Sequence, residues 1–224
     1  FRFRKLFRNS EFKFYTTMIA AFTLFIMLEL IFQRNYEVEH AFRSSVFQVV
    51  SFITTTGLYS DDAAKWPHVT WVVLAACMFF GGSSGSTSGG IKSIRGVMLV
   101  KIVKNEFRQI LHPNAVLPMK IDGYNVQMSK RVTLLAFIGL YLFLAVICAF
   151  TMIAAGIDST NSMTITLSSL GNVGPTLGLE IGPTMSWNEL PDFAKWISSF
   201  LMLVGRLELF SVLVLFTPSF WKEN

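Results

Sequence analysis

The chain has 224 residues, of which 52% are hydrophobic and only 15% are charged. A soluble domain usually carries roughly 25% charged residues, so this composition excludes an ordinary soluble protein and predicts segments that span a membrane. The formal net charge of +5 does not indicate a nucleic-acid binder, because basic residues in that role need a soluble scaffold, which this sequence does not provide.

Four apolar runs follow one another along the chain, at residues 14–32, 69–80, 132–155 and 193–216. A helix needs about 20 residues to cross a bilayer. Three of the runs have about that length, whereas the second run is too short to cross on its own. We therefore expect four membrane helices, the second of which is interrupted.

Positive charge is concentrated outside these runs. The residues before Phe14, those from 91 to 131 and those after Pro218 hold 14 of the 19 Lys and Arg but only 4 of the 14 Asp and Glu. Cytoplasmic segments of membrane proteins are enriched in Lys and Arg. We therefore expect a multi-pass protein whose two ends and middle linker are cytoplasmic. Because the chain begins at Phe1 rather than Met, we expect it to be part of a longer protein.

The two halves of the chain repeat one order of segments. Each long apolar run is followed by a short stretch, 41–54 or 160–170, then by a glycine-containing loop, an acidic segment and another apolar run. Gly57 and Gly174 occupy matching places, 117 residues apart. The two loops consist of Thr54, Thr55, Thr56, Gly57 and Leu58, and of Gly171, Asn172, Val173, Gly174 and Pro175. The pattern predicts an all-α membrane protein made of two tandem helix–pore loop–helix repeats.

Each short stretch is predicted to enter the membrane and return to the same side. If residues 41–54 crossed, the basic segments could not share one side. Non-helical backbone at membrane depth is tolerated only where protein or a water-filled path surrounds it. A half-helix directs its partially negative C-terminal end towards the membrane centre, which favours a cation there. The alternative is an interfacial helix and loop with no part in a pore.

The second apolar run is followed by ten consecutive Gly, Ser and Thr residues. Glycine is about 1 kcal/mol less favourable than Ala in a helix, so this segment predicts a helix broken inside the membrane. Residues 85–93 also resemble a phosphate-binding loop, with an additional Ile before Lys92 and no parallel sheet. A flexible linker is a further alternative. The ten residues are Gly81, Gly82, Ser83, Ser84, Gly85, Ser86, Thr87, Ser88, Gly89 and Gly90.

Arg206, Glu208 and Glu29 are charged residues that lie well inside apolar runs. Arg206 is placed in the middle of the last predicted helix, and a charge at such depth usually marks a functional site. A structural pair between Arg206 and Glu208 is weak, because residues two apart on a helix do not face each other. Glu29 in the first run is either a partner for a polar group of a neighbouring repeat or an interfacial residue.

Three motifs together resemble one family of ion transporters. Residues 81–92 (GGSSGSTSGGIK), 171–175 (GNVGP) and 205–210 (GRLELF) are similar, in order and spacing, to the TrkH/TrkG branch of the Trk/Ktr/HKT potassium transporters. The resemblance covers essentially the whole chain but only the C-terminal half of the family protein. It implies a potassium-channel-like fold in which this chain supplies the third and fourth of four repeats around one path, and therefore half of the pore.

The resemblance also implies roles for individual residues. Residues 54–58 and 171–175 would be two of four filter segments, with potassium held at Thr55, Thr56, Asn172 and Val173. The ten residues of 81–90 would form an intramembrane gating loop, and Arg206 would face this loop as an electrostatic barrier. The filter segments share only the glycine with the Thr-Val-Gly-Tyr-Gly sequence of potassium channels, so strict discrimination against sodium is not implied.

The expected function is potassium uptake across the cytoplasmic (inner) membrane of a bacterium, without enzymatic activity and without an organic cofactor. The family further implies a homodimer and a cytosolic, nucleotide-binding TrkA-like ring as partners. The chain is divided into a first repeat at 1–111, a cytoplasmic linker at 112–129 and a second repeat at 130–224. The competing interpretations are a subunit of an ATP-hydrolysing pump and a non-conducting membrane scaffold.

Overall fold

The computed structural model describes residues 7–115, 117–178 and 186–222, and these residues are predominantly helical. A hairpin of two antiparallel two-residue strands, β1 (Lys120–Ile121) and β2 (Tyr124–Asn125), lies between the two halves. Single turns of 3₁₀-helix cover Ala63–Lys65, Trp187–Glu189, Val214–Phe216 and Pro218–Phe220. The α-helices are α1 (Ser10–Arg34), α2 (Val38–Ile53), α3 (His68–Phe79), α4 (Ser93–Leu111), α5 (Met128–Ala154), α6 (Ser159–Gly171), α7 (Asp192–Leu207) and α8 (Leu209–Leu213).

The two longest helices, α1 and α5, have 25 and 27 residues and are long and apolar enough to cross a membrane. Their outer faces carry exposed apolar side chains, among them Phe143 and Phe150 of α5, which are 63% and 68% exposed. Apolar faces of this kind suit contact with lipid, because the lipid chains offer no hydrogen-bonding groups. Within α1, Glu29 accepts a hydrogen bond from Gln33 one turn later, so its described partner belongs to its own helix.

Local sequence explains how α1 begins and ends. The side chain of Asn9 accepts hydrogen bonds from the amides of Glu11 and Phe12, which have no partner inside the helix. At the other end, Asn35 adopts a left-handed conformation with φ 53°, and its amide donates to the carbonyl of Leu30. The resulting tight turn lays α2 back along α1.

The third helix, α3, has only 12 residues, in agreement with the interrupted helix that the sequence predicts. The last apolar run departs from its prediction. It breaks at Glu208, and the segments on either side of the break, Asp192–Leu207 and Leu209–Phe216, meet at 116°. The expectation of one straight helix with Arg206 in its middle is therefore wrong, and Arg206 lies in the last turn of α7. Residue 208 itself is neither Gly nor Pro, and Gly205 lies three residues before it.

The short helices α2 and α6 lie inside the molecule. Half of the residues of α2 and most of those of α6 are buried, and α3 of the first half packs against α6 of the second. One apolar cluster joins Phe52, Trp66 and Leu74 of the first half to Val173 and Leu177 of the second. The two halves therefore share a core, and the loops that follow α2 and α6 are brought together at its edge.

Candidate functional site

The loops after α2 and α6 follow the same backbone path. Thr55 and Asn172 have φ values of 55° and 54°, and two residues later Gly57 and Gly174 have φ values of 77° and 106°. Positive φ is uncommon for residues other than glycine and is unfavourable for a β-branched residue such as threonine. Each loop therefore has two left-handed positions, and each position in the first loop lies 117 residues before its counterpart in the second.

The hydrogen bonds that end the two helices also correspond. The amides of Thr56 and Val173 donate to the carbonyls of Ser51 and Ser168, each at 2.9 Å. The hydroxyls of these serines bind the loops as well. Ser51 donates to the carbonyl oxygen of Leu58, and Ser168 accepts from the amide of Gly174 at 3.0 Å. Sequence reasoning missed both serines, although the same spacing of 117 residues relates them.

The two loops touch each other at Gly57. A methyl group on its α-carbon would overlap the carbonyl oxygen of Val173 and would lie 3.2 Å from Cδ of Pro175. Around Gly174, in contrast, a methyl group would find nothing within 4 Å. Glycine at position 57 therefore allows close approach of two backbones as well as a left-handed turn.

Most of the side chains predicted to hold an ion are engaged by the protein. The hydroxyl of Thr54 donates to the carbonyl of Val50 at 2.7 Å, and Thr56 Oγ1 lies 2.7 Å from Thr54 Oγ1. The side-chain amide of Asn172 (Nδ2) donates to the carbonyl of Met202 in α7 at 3.0 Å. Val173 is buried in the core. Leu58 is exposed and Pro175 is buried. The groups of these loops that suit a cation are therefore mainly backbone carbonyls.

The ten-residue segment 81–90 forms a closed excursion between α3 and α4. At its base, the amide of Gly81 donates to the carbonyl of Ile91 at 2.9 Å, and the hydroxyl of Ser93 donates to the carbonyl of Gly81 at 3.0 Å. Its far side contacts both loops, because the amide of Gly89 donates to Thr55 Oγ1 at 3.4 Å and its α-carbon lies against the carbonyl of Gly171. The segment therefore lies directly beside the two matched loops.

A lysine that sequence reasoning did not select holds this excursion closed. Lys92 Nζ donates to the carbonyls of Ser86 and Ser88 at 2.7 and 2.6 Å. The family resemblance implies that Arg206 faces this segment as an electrostatic barrier. In the part of the chain that the structure describes, Arg206 makes no hydrogen bond or ion pair. Its guanidinium lines the same cavity of about 290 Å³ as Ser84, Ser86 and Lys92.

The contacts of segment 81–90 weigh against a phosphate-binding loop. Several of its amides are already bonded: Gly82 donates to Ser88 Oγ at 3.0 Å and Ser84 donates to Glu11 Oε1 at 2.5 Å. A phosphate-binding loop instead offers free amides at the end of a strand in a parallel sheet. Among the described residues the one sheet is the small antiparallel hairpin.

Comparison with known proteins identifies the family. Residues 6–223 match the family model named TrkH, a cation transport protein. The chain belongs to the TrkH family. Its match to a TrkH crystal structure, that of the potassium transporter TrkH from Vibrio parahaemolyticus, has a TM-score of 0.89 at 32% identity and covers 96% of this chain and 46% of that one.

Curated relatives extend the comparison. The chain is 34% identical to the Trk system potassium uptake protein TrkH of Halomonas elongata over 222 residues, which is 99% of this chain and 45% of the relative. It is 35% identical to the protein of that name from Escherichia coli over 217 residues, which is 96% of this chain and 44% of the relative. It is 32% identical to E. coli TrkG, at 98% and 45% coverage. This TrkH-family chain thus spans a little under half the length of these relatives, which are uptake proteins rather than enzymes.

Proposed function

We propose that the chain forms half of the ion path of a potassium uptake protein in the cytoplasmic membrane of a bacterium. The observation that carries this proposal is the pair of loops with matched left-handed positions, 55 with 172 and 57 with 174, in contact with each other. Glycine-containing backbone turns at the C-terminal ends of buried half-helices suit a dehydrated cation. The names of the relatives support potassium as that cation.

In this proposal the carbonyls of residues 54–58 and 171–175 coordinate potassium as two sectors of a filter. Two loops surround an ion on only part of its circumference, so two further repeats complete the path. Relatives about twice as long as this chain support that requirement. The proposed units are the repeats at 1–111 and 130–224, joined by a linker at 112–129. The end of α4 at Leu111 and the start of α5 at Met128 fit these limits.

The decisive experiment uses the complete protein in proteoliposomes. Potassium influx that exceeds sodium influx under matched gradients supports the proposal. Hydrolysis of ATP by the purified protein, at a rate coupled to uptake, supports the pump-subunit interpretation instead. Absence of flux for both ions, in protein that is monodisperse and cooperatively folded, supports a scaffold.

We propose further that residues 81–90 form the gate and that Arg206 supplies a positive barrier beside it. The excursion lies against both loops and shares its cavity with Lys92 and Arg206. A segment without bulky side chains moves with little steric resistance, and a guanidinium beside the ion path repels a passing cation. For a separation that we take as roughly 12 Å, two unit charges repel by about 1.4 kcal/mol at an effective dielectric of about 20, or about tenfold in rate.

Replacement of Arg206 by Ala is therefore expected to raise potassium flux about tenfold, as the removal of this repulsion implies. The measurement is ⁸⁶Rb⁺ uptake into proteoliposomes at equal protein content. Arg108→Ala is the matched control, because Arg108 is exposed on α4 and lies outside the cavity. Flux at or below the parent level in folded Arg206→Ala protein would make Arg206 a structural brace.

The partners in this proposal are a second copy of the chain and a cytosolic TrkA-like ring, with both ends and the linker on the cytoplasmic side. Eight Lys and Arg against two acids between Lys92 and Arg131 suit docking to an acidic surface of a cytosolic partner or to anionic lipid. Charge reversal at Lys101 and Lys104 is expected to weaken binding of a purified ring several-fold at low salt, where screening is slight. Lys65→Glu is the control, since Lys65 lies in the acidic segment of the first repeat. If binding of the ring changed neither with salt concentration nor on charge reversal at Lys101 and Lys104, the interface would lie elsewhere.

A further inference from the structure

The break between α7 and α8 is stabilised from the other half of the molecule. Arg95 Nη2, in the first turn of α4, lies 3.1 Å from Glu208 Oε1 at the break. The other ion pairs found in the described residues, Arg43–Glu39, Lys65–Asp62 and Lys195–Asp192, join residues three or four apart. Within that part of the chain, Arg95–Glu208 is thus the ion pair that connects the two repeats.

Glu208 has a backbone conformation that needs outside support. Its φ of 67° and ψ of 136° lie in a region that is open mainly to glycine. A residue other than glycine stays in such a conformation only where its surroundings hold it there, and such positions are concentrated at functional sites. The contact that reaches the carboxylate of Glu208 is the guanidinium of Arg95. That guanidinium is itself fixed, because it lies 4.0 Å above the ring of Phe137.

The end of α7 is held on its other side by the second loop. The α-carbon of Gly205 lies against the carbonyl of Leu170. The side-chain amide of Asn172 donates to the carbonyl of Met202 at 3.0 Å. Arg206 therefore stands between two attachments: the second loop on one side and Arg95 on the other. Arg95 follows the excursion 81–90 by only five residues, so the second attachment comes from the first turn of the helix that directly follows the segment proposed as the gate.

We propose that Arg95 and Glu208 are a positioning pair, which keeps the bend closed and holds the unpaired guanidinium of Arg206 towards the excursion. This inference depends on the proposed barrier at Arg206. Loss of either partner frees the strained backbone at 208 to return to helix, and the rotation carries Arg206 away from the cavity. Arg95 and Glu208 act through Arg206, and neither needs to touch the ion.

The test is a set of variants of the complete protein, assayed by ⁸⁶Rb⁺ uptake. Arg95→Gln and Glu208→Gln are each expected to raise flux about as much as Arg206→Ala, and to add nothing when combined with Arg206→Ala. The charge swap Arg95→Glu with Glu208→Arg is expected to restore most of the parent flux. Arg43→Gln, which removes a local ion pair on α2, is the matched control and is expected to leave flux unchanged.

A second measurement reports position without transport. Spin labels at Val100 on α4 and Leu215 beyond the bend, both exposed, are expected to give a narrow distance distribution in the parent, a broad one in Glu208→Gln and a narrow one again in the swap. Unchanged distances in Glu208→Gln, or flux changes that multiply with Arg206→Ala, would overturn the positioning role. If Arg206→Ala itself leaves flux unchanged, the proposed barrier fails, while the distance measurement still decides whether the pair holds the bend.

Discussion

The two matched loops reach one backbone shape with almost no sequence in common. The first, Thr-Thr-Thr-Gly-Leu, is supported by hydroxyl groups, among them the pair formed by Thr54 and Thr56. The second, Gly-Asn-Val-Gly-Pro, is supported by apolar burial of Val173 and by the side-chain amide of Asn172. The shared shape depends on the bonds that end α2 and α6 and on two left-handed residues in each loop. Backbone bonding therefore sets the turn, and side chains decide only how each turn is attached to its surroundings.

The comparison also separates the two glycines. Both have positive φ, but only Gly57 is pressed against another backbone, at the carbonyl of Val173. A larger residue at Gly57 would have both an unfavourable φ and a steric overlap with the second loop. A larger residue at Gly174 would have only the unfavourable φ. Glycines that the sequence makes equivalent are thus unequal in their tertiary surroundings.

The largest expected effect follows from this inequality. Gly57→Ala is expected to destabilise the protein by at least about 3 kcal/mol, through strained backbone and displacement of the second loop. Gly174→Ala is expected to cost only about 1–2 kcal/mol and to leave a folded protein with a reduced preference for potassium over sodium. Thermal melting of the complete protein and bi-ionic flux measure the two effects.

Gly139→Ala is the control for these substitutions, since Gly139 lies in α5 with open space around it and an ordinary φ. If Gly174→Ala destabilised the protein as much as Gly57→Ala, the asymmetry of the loops would be refuted. Unchanged ion preference in both folded variants would remove the loops from the filter.

A smaller effect is expected at the two serines. Ser168→Ala removes the hydroxyl that accepts from the amide of Gly174, and a hydrogen bond of this kind contributes about 0.5–1.5 kcal/mol. Ser51→Ala removes only a bond to the carbonyl of the exposed Leu58, which water can replace, so a loss below about 1 kcal/mol is expected. Melting temperatures of both variants, compared with Ser45→Ala, test the difference. Ser45 is suitable because its hydroxyl bonds only within α2. A larger loss of stability in Ser51→Ala than in Ser168→Ala would contradict this prediction.

The smallest effect concerns the left-handed position before each glycine. Thr55→Asn copies the second loop into the first, and asparagine tolerates φ near 55° better than a β-branched residue does. We expect a gain of up to about 1 kcal/mol, reduced by loss of the weak contact from the amide of Gly89. Asn172→Thr is the reciprocal variant and is expected to be destabilising. A lower melting temperature for Thr55→Asn would mean that the threonine hydroxyl matters more than backbone strain.

Sequence patterns predicted much of the local structure. The short helix α3, the half-helices α2 and α6 and the equivalence of Gly57 and Gly174 follow from apolar run length and from a repeated order of segments. Such features depend on neighbouring residues and on helix period, so the sequence carries them directly. The family motifs placed residues 81–90 and Arg206 in one region, and the structure brings them to one cavity.

The break at Glu208, the role of Lys92 and the crowding of Gly57 could not be predicted in that way. Each depends on a group distant in sequence or on the geometry of an excursion: Arg95 reaches Glu208, Lys92 turns back onto its own loop, and Val173 meets Gly57. Gly205 weakens the helix three residues before the break, but the residues that follow it are compatible with a continuing helix, so the sequence does not place the bend at position 208.

By itself the amino-acid sequence determined the membrane character of this protein, the repeated order of segments along it and the places of the glycine turns at 57 and 174. These depend on composition, on segment length and on the freedom of glycine, all of which are local properties. Only the tertiary structure decided which glycine is crowded, which cation closes the excursion and where the last helix bends. The first and last of those outcomes depend on contacts between residues more than 100 positions apart, and the second depends on how the excursion folds back onto Lys92. Several arrangements of the same local elements satisfy the sequence pattern equally well.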